Sequence, residues 1–341
     1  IILAAASAVV TAASCSNEQR LPRASAEVQE EIKADCDSFF VMSSGRGTDI
    51  VHSMMVLKDG KVAYERYAPG HSADELHILW SASKTFTSTA IGFAVQDGLL
   101  SVDDKVLSFF EEEAPASELQ SEWLKDMTVK DLLIMSSGLS FDIINKPCRD
   151  YIPDWTREIL SYAMAFEPGS KYAYNSGNTY LLSAIITKVT GLKTSEYIEQ
   201  KLFKPLGIKD YWWEEAPNGI TAGGWGLFLK LEDFAKMGQF LLQEGEWNGV
   251  QLLNPEWIAE ATSAHIYQNP ALLESGEDLD DWHSGYCYQI WRCRHGYRLD
   301  GAKVQICLVL PEKNAVVAFF SCHGKKQALW EILWEQVYPV L

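Results

Sequence analysis

The sequence predicts an α+β fold. It is an antiparallel β-sheet flanked by N- and C-terminal helices (an α/β/α sandwich), joined to a second, mainly helical lobe. Three observations carry this. Strand-patterned runs occur near both ends of the chain, before residue 68 and after residue 285. The stretch between, Ser81 to about Thr262, is patterned mostly at helical spacing and punctuated by Pro and Gly. Amphipathic helical segments lie outside both strand groups. Strands from the two ends can pair in one sheet with the terminal helices covering a face. The expected boundaries are one domain over 24–341, with an α/β lobe at 24–80 and 284–341 and a helical lobe at 81–283. A ligand cleft is expected between the lobes.

The elements follow in order. Ile1 to Ser14 is apolar and small-residued, and Cys15 follows. It is too short for a membrane span and reads as the apolar region of a signal segment. Ala12-Ala13-Ser14-Cys15 resembles a bacterial lipoprotein cleavage box that lacks Leu three residues before Cys15. The expectation is a bacterial cell-envelope protein, periplasmic or attached to the membrane through a lipidated Cys15. Ordinary signal cleavage nearby and a buried N-terminal strand are the alternatives. Ala24–Phe40 reads as an amphipathic helix. Ser53–Leu57 and Lys61–Tyr67 are β-patterned and joined by Lys58-Asp59-Gly60, a hairpin signal. Candidate helices are Thr85–Gln96, Val129–Met135, Trp155–Ala165, Thr179–Val189, Ser195–Leu202, Leu231–Gln243 and Pro255–Ala261. Strand pattern returns at Tyr286–Arg292, Tyr297–Leu299, Val304–Leu310 and Ala315–Ser321. Pro311 to Asn314 forms a turn between the last two, and a final helix runs from Lys326 to about Tyr338.

Composition narrows the function classes. The 341 residues are 47% hydrophobic and 22% charged, an ordinary globular balance. The net charge of −17 repels phosphate backbones, so nucleic-acid binding is not expected. No Cys-x-x-Cys pair occurs and the seven histidines lack zinc-ligand spacing, so neither metal nor cofactor is expected. Cys287, Cys293, Cys307 and Cys322 fall in or beside strand-like segments and read as small core residues. No Gly-x-Ser-x-Gly elbow, P-loop or dinucleotide fingerprint is present; Gly45-Arg46-Gly47 lacks the third glycine and the helix.

The chemistry centres on Ser81-Ala82-Ser83-Lys84 at the head of the apolar run Thr85–Gln96. Residues three apart on a helix share a face, so the Ser81 hydroxyl and the Lys84 amine can meet. A serine needs a base to become a nucleophile, and desolvation lowers the proton affinity of a lysine. Ser-x-x-Lys thus builds an activated serine without histidine. The tetrad alone equally describes a helix turn with Lys84 on a solvated face. The apolar stripe behind it, Phe86, Ala90, Ile91, Ala94 and Val95, argues for burial instead. A second feature is Tyr174-Asn175-Ser176, in a turn before a helix. A tyrosine aimed at a buried lysine would have its phenolate favoured and could carry the serine proton. Its bland alternative is a loop tyrosine.

These motifs together resemble the serine hydrolases of the class C β-lactamase and penicillin-binding superfamily. The resemblance includes Asp103-Asp104-Lys105-Val106, Met127 to Leu139, Ala222-Gly223-Gly224-Trp225-Gly226-Leu227, Asp233, Met237-Gly238 and Trp247-Asn248-Gly249. It covers nearly everything after Ile50. It implies that Ser81 is the acylated nucleophile, that Lys84 holds and tunes its proton, and that Tyr174 is general base and acid. Ser176 takes the place of the usual Asn in Tyr-x-Asn. The third motif, normally Lys-Thr-Gly or His-x-Gly, falls at Leu299-Asp300-Gly301, without its cation. Gly301 would let substrate approach, and the backbone N–H groups of Ser81 and Ala302 would form the oxyanion hole. Trp225, Asp300 and His323 are candidate substrate-binding residues; core packing is the default for Trp225 and a structural role for His323.

The missing cation disfavours the carboxylate of a β-lactam. The pattern looks more like the branch of carboxylesterases and 6-aminohexanoate-dimer hydrolase. The expectation is a serine hydrolase that cleaves a small-molecule ester or simple amide through a Ser81 acyl-enzyme. The alternatives are a β-lactamase or peptidoglycan D,D-peptidase, and a non-catalytic acyl- or peptidoglycan-binding protein.

Overall fold

The computed structural model describes residues 20–43, 50–114, 121–275, 280–324 and 326–341. The signal segment with Cys15 and the Gly45-Arg46-Gly47 run lie outside them. In chain order, α1 (Ala26–Met42) precedes the hairpin β1 (Ile50–Lys58) and β2 (Lys61–Tyr67). A short strand β3 (His77–Ile78) and a 3-10 turn (Trp80–Ala82) then lead into α2 (Ser83–Gln96). The middle of the chain holds α3 (Val129–Leu133), α4 (Trp155–Leu160), α5 (Ser176–Thr190), α6 (Thr194–Ile198) and α7 (Lys204–Leu206). Next come β4 (Trp212–Trp213), β5 (Leu227–Leu229), α8 (Leu231–Leu242), β6 (Glu246–Trp247) and β7 (Val250–Gln251). The chain closes with α9 (Pro255–Thr262), α10 (Pro270–Ser275), β8 (Trp291–Cys293), β9 (Gly296–Gly301), β10 (Gln305–Leu310), β11 (Ala315–Cys322) and α11 (Lys326–Ile332).

The central sheet has the order β2-β1-β11-β10-β9-β8 and is antiparallel throughout. Strands from both ends of the chain therefore meet at the β1–β11 pair, as the sequence pattern requires. The hairpin turns at Asp59 (φ 51°) and Gly60 (φ 73°), two left-handed residues that match the right-handed twist of the strands. Alternation along the strands feeds two cores. Met54, Val56, Ile306, Leu308, Val317 and Phe319 pack with Phe39 of α1 and Trp330 of α11. The opposite face, with Leu299, Cys307, Val316 and Ala318, joins the core built by α2, α5 and α8. α8 lies on the sheet itself: Phe234 stacks on Phe320 at 5.5 Å.

Two elements depart from the sequence pattern. The run Tyr286–Arg292 is not one strand; Trp291–Cys293 pairs with β9, and Tyr286 makes isolated bridges to Ile266 and Trp291. Gln289 sits at φ 61°, and its amide donates to the carbonyls of Leu132 and Leu133, which pulls the segment into a turn. The helix from Trp155 stops at Leu160 rather than Ala165. Beyond it Ser140 and Ala165 donate backbone hydrogen bonds to Ala163 and Gly138, so the chain runs against the loop that precedes the site. Cys287, Cys293 and Cys307 are buried core residues and Cys322 is half-buried, all as free thiols.

Candidate active site

Three chain segments converge on Lys84. The first is the 3-10 turn Trp80–Ala82, which places Ser81 ahead of α2 rather than within it. Lys84 follows in the first turn of α2, 1% exposed. Its Nζ lies 3.4 Å from Ser81 Oγ. The second segment is the start of α5. Asn175 caps that helix by accepting from Gly177 N–H, which puts Ser176 at its first position and its Oγ 3.2 Å from Lys84 Nζ. The third is the glycine turn before β5. Lys84 Nζ donates to the Gly224 carbonyl at 2.6 Å. A Cβ at Gly224 would come within 3.1 Å of the Ser176 carbonyl and 3.4 Å of Lys84 Nζ, so a side chain there would crowd this approach.

Burial decides the protonation of Lys84. Desolvation lowers its pKa from the ordinary 10.5 to about 7, with Asp142 as the opposing charge. A neutral amine can donate to Gly224 and Ser176 while its lone pair faces the Ser81 hydroxyl. Asp142 is tied to the same place: its carboxylate accepts from the N–H of Ser176 at 2.7 Å and of Gly177 at 3.2 Å. A carboxylate across the N-terminus of α5 is favoured by the unpaired N–H groups there.

The Tyr174 hydroxyl lies near the Ser81 side chain. The tyrosine ring lies 5.0 Å from Lys84 Nζ and stacks on Trp291 at 5.9 Å. The expectation that Lys84 favours its phenolate is corrected here. Burial around the hydroxyl, with the carboxylates of Asp300 and Asp142, pushes the Tyr174 pKa far above its ordinary 10. The reason is the same desolvation that neutralises Lys84: with the amine uncharged, no cation stands ready to hold a phenolate. Tyr174 is a phenol at neutral pH.

The remaining sequence candidates are spread more widely. Gly301 ends β9 so close to the turn before Ser81 that a Cβ would overlap the Leu79 carbonyl. Ala302 follows in the β9–β10 turn. Asp300 is not an open anionic lining. It is buried and paired with Arg298 at 3.0 Å, on the sheet face opposite Leu299. Arg298 was not foreseen from the third motif. Its guanidinium is enclosed by Trp282, Trp291 and Trp330 at 5.0–5.4 Å, so it offers no cation to the cleft. Trp225 is a core residue, 3% exposed, flanked by Trp155 and the Arg149 guanidinium rather than open to substrate. His323 is buried past the end of β11, and its N–H donates to Lys303 beside the Ala302 turn. Asp142 and the Gly224 carbonyl are site groups that spacing did not flag; the Gly223-Gly224 pair is the only local trace of the second.

The family model for Beta-lactamase matches residues 51–336. The chain belongs to the β-lactamase family. Among curated relatives, the lovastatin esterase of Penicillium rubens is 28% identical over 160 residues, 40% of this chain and 39% of that protein. The 6-aminohexanoate-dimer hydrolase of Paenarthrobacter ureafaciens is 23% identical over 223 residues, 60% of this chain and 55% of the relative. The chain thus matches about two fifths and just over half of their lengths. Among solved structures, EstCE1, a hydrolase with promiscuous acyltransferase activity, superposes with a TM-score of 0.72 at 16% identity. That match covers 92% of this chain and all of the other. A penicillin-binding protein homologue from Caulobacter crescentus gives 0.71 at 17% identity, covering 90% and 97%. These likenesses establish a β-lactamase-like fold.

Proposed function

We propose that the protein is a serine hydrolase that cleaves an ester or simple amide through an acyl-enzyme on Ser81. The observation that carries the proposal is the burial of Lys84 with Ser81, Ser176 and Gly224, which leaves a lysine with a pKa of about 7 beside a serine. A base with a pKa near the working pH is the efficient kind.

In the first step the neutral Lys84 amine takes the Ser81 proton as Oγ attacks the carbonyl carbon. The backbone N–H groups of Ser81 and Ala302 stabilise the oxyanion. As the C–O or C–N bond breaks, the Tyr174 hydroxyl gives the leaving group a proton and regains one from the Lys84 ammonium. In the second step water attacks the acyl-enzyme and gives a proton to Lys84; as the Oγ–acyl bond breaks Lys84 passes that proton to Ser81 Oγ, so the acid product leaves with the serine hydroxyl and the neutral amine restored. Ser176 holds the Lys84 amine on course. The esterase reading is supported over the β-lactam reading by Leu299 in the cation's place and by the enclosure of Arg298. The relatives named esterase and dimer hydrolase point the same way.

The test compares wild type with Ser81→Ala on p-nitrophenyl butyrate and nitrocefin. Ester turnover that the variant loses while its fold is kept supports the proposal. Wild-type rates in Ser81→Ala refute the nucleophile. Efficient nitrocefin cleavage by wild type makes the β-lactamase reading the better one.

A further inference from the structure

The residue before the proposed nucleophile is held in a strained conformation. Trp80 has φ 49°, a region that bulky residues rarely enter. The backbone around it is over-determined. Its carbonyl accepts from Ser83 Oγ at 2.6 Å, and that same Oγ accepts from Leu227 N–H at 3.1 Å. Leu79 N–H donates to Leu227, and Ala82 N–H to Leu79. These bonds anchor the turn to β5 and hold Trp80 in the left-handed region. The indole gains no full burial in return: it is 37% exposed, whereas Trp155, Trp225 and Trp330 are buried.

Other exposed rings belong to segments that build the same site. Phe141 is exposed, and its carbonyl accepts from the Asn175 side chain at 2.9 Å. Tyr174 is exposed to the same degree as Trp80. Ile78, Phe228 and Trp212 stand opposite one another across the β3-β5-β4 sheet, an apolar row that ends two residues before Trp80. Two carboxylates, Asp142 and the Arg298-paired Asp300, bear on the Tyr174 hydroxyl. Such surroundings favour an uncharged, apolar substrate group over an anionic one.

We infer that Trp80 determines specificity: its indole receives the uncharged apolar or aromatic group that flanks the scissile carbonyl. The inference rests on the Ser81 hydrolase reading. Strain at this position is then the cost of presenting an indole beside the nucleophile instead of burying it.

The experiment measures kcat/KM for p-nitrophenyl acetate and p-nitrophenyl hexanoate with the full chain. The variants are Trp80→Asn and Trp80→Gly, which enter the left-handed region readily, and Trp80→Phe. Near-ultraviolet circular dichroism checks folding. The hexanoate-to-acetate ratio is expected to fall about tenfold or more in the first two, and to recover largely in Trp80→Phe. The rate of Ser81 labelling by short- and long-chain alkyl fluorophosphonates gives the same ratio independently of turnover. An unchanged ratio in Trp80→Asn or Trp80→Gly overturns the inference, even if both rates drop together. Retention of activity and labelling in Ser81→Ala would instead sink the hydrolase reading beneath it.

Discussion

Replacing Lys84 with Met tests whether this lysine is held against its own solvation. The gap between its ordinary pKa of 10.5 and about 7 corresponds to roughly 5 kcal/mol for burying the charged form. Met fills similar space without a charge. It also leaves the Gly224 carbonyl and the Ser176 hydroxyl without their lysine donor, which costs about 1–3 kcal/mol. Lys84→Met is therefore expected to be inactive yet more stable than wild type by about 2–4 kcal/mol at pH 6. The sign of the pH dependence follows from proton counting. Between about 7 and 10.5 the unfolded chain holds the Lys84 proton and the folded chain has released it. Wild-type stability then rises relative to the variant by about 1.4 kcal/mol per pH unit. The two stabilities are expected to cross between about pH 8.5 and 10. Urea unfolding followed by tryptophan fluorescence at pH 6, 7.5 and 9 measures the difference. A difference that stays flat over that range would mean that Lys84 keeps an ordinary pKa. The base proposed for Ser81 would then be protonated and unusable at neutral pH.

Two further predictions concern the groups around that lysine. The acid limb of kcat/KM is expected near the Lys84 pKa of about 7, with activity rising as the amine loses its proton. Asp142→Asn removes the carboxylate that favours the charged form, so the limb should move to lower pH; a limb that does not move would leave Asp142 as a helix cap alone. Tyr174→Phe should lower kcat at least about 100-fold while leaving the acid limb in place, because the phenol stays protonated throughout. A limb that disappears in this variant would assign the titration to Tyr174 instead.

What could be read from the sequence was local or periodic. The Ser81-x-x-Lys84 spacing, the apolar stripe of α2 and the Asp59-Gly60 turn each depend on residues within a few positions, and each appears as a structural unit. The β-run at Tyr286–Arg292 failed because its hydrophobic residues serve aromatic packing around a turn. Tyr286 meets Trp291 edge-on at 5.0 Å, and Gln289 bonds to the chain at Leu132 and Leu133. Asp142 was illegible because it acts from a loop 34 residues before the backbone it holds, and an aspartate in a loop has many possible uses. The Gly224 carbonyl was illegible because a backbone acceptor has no side chain to mark it.

The third motif shows how a lost charge can be absent from the cleft and present nearby. Leu299 faces the core shared with α2, where the family pattern expects a cation. One position earlier Arg298 carries a cation, but strand alternation turns it to the opposite face. There it pairs with Asp300 and is walled in by three tryptophans. A guanidinium so placed can stiffen the β8–β9 edge, through its donors to the Asp281 and Arg292 carbonyls, without attracting an anionic substrate. Relief from a second buried cation has a consequence for Lys84. A lysine or histidine in the place of Leu299 would add like charge near the amine and lower its proton affinity further. Here burial alone supplies the shift, with Asp142 holding it near neutrality rather than letting it fall. The same arrangement that removes the carboxylate receptor thus leaves a base tuned by one loop carboxylate, Asp142, held across the N-terminus of α5 and suited to an uncharged ester.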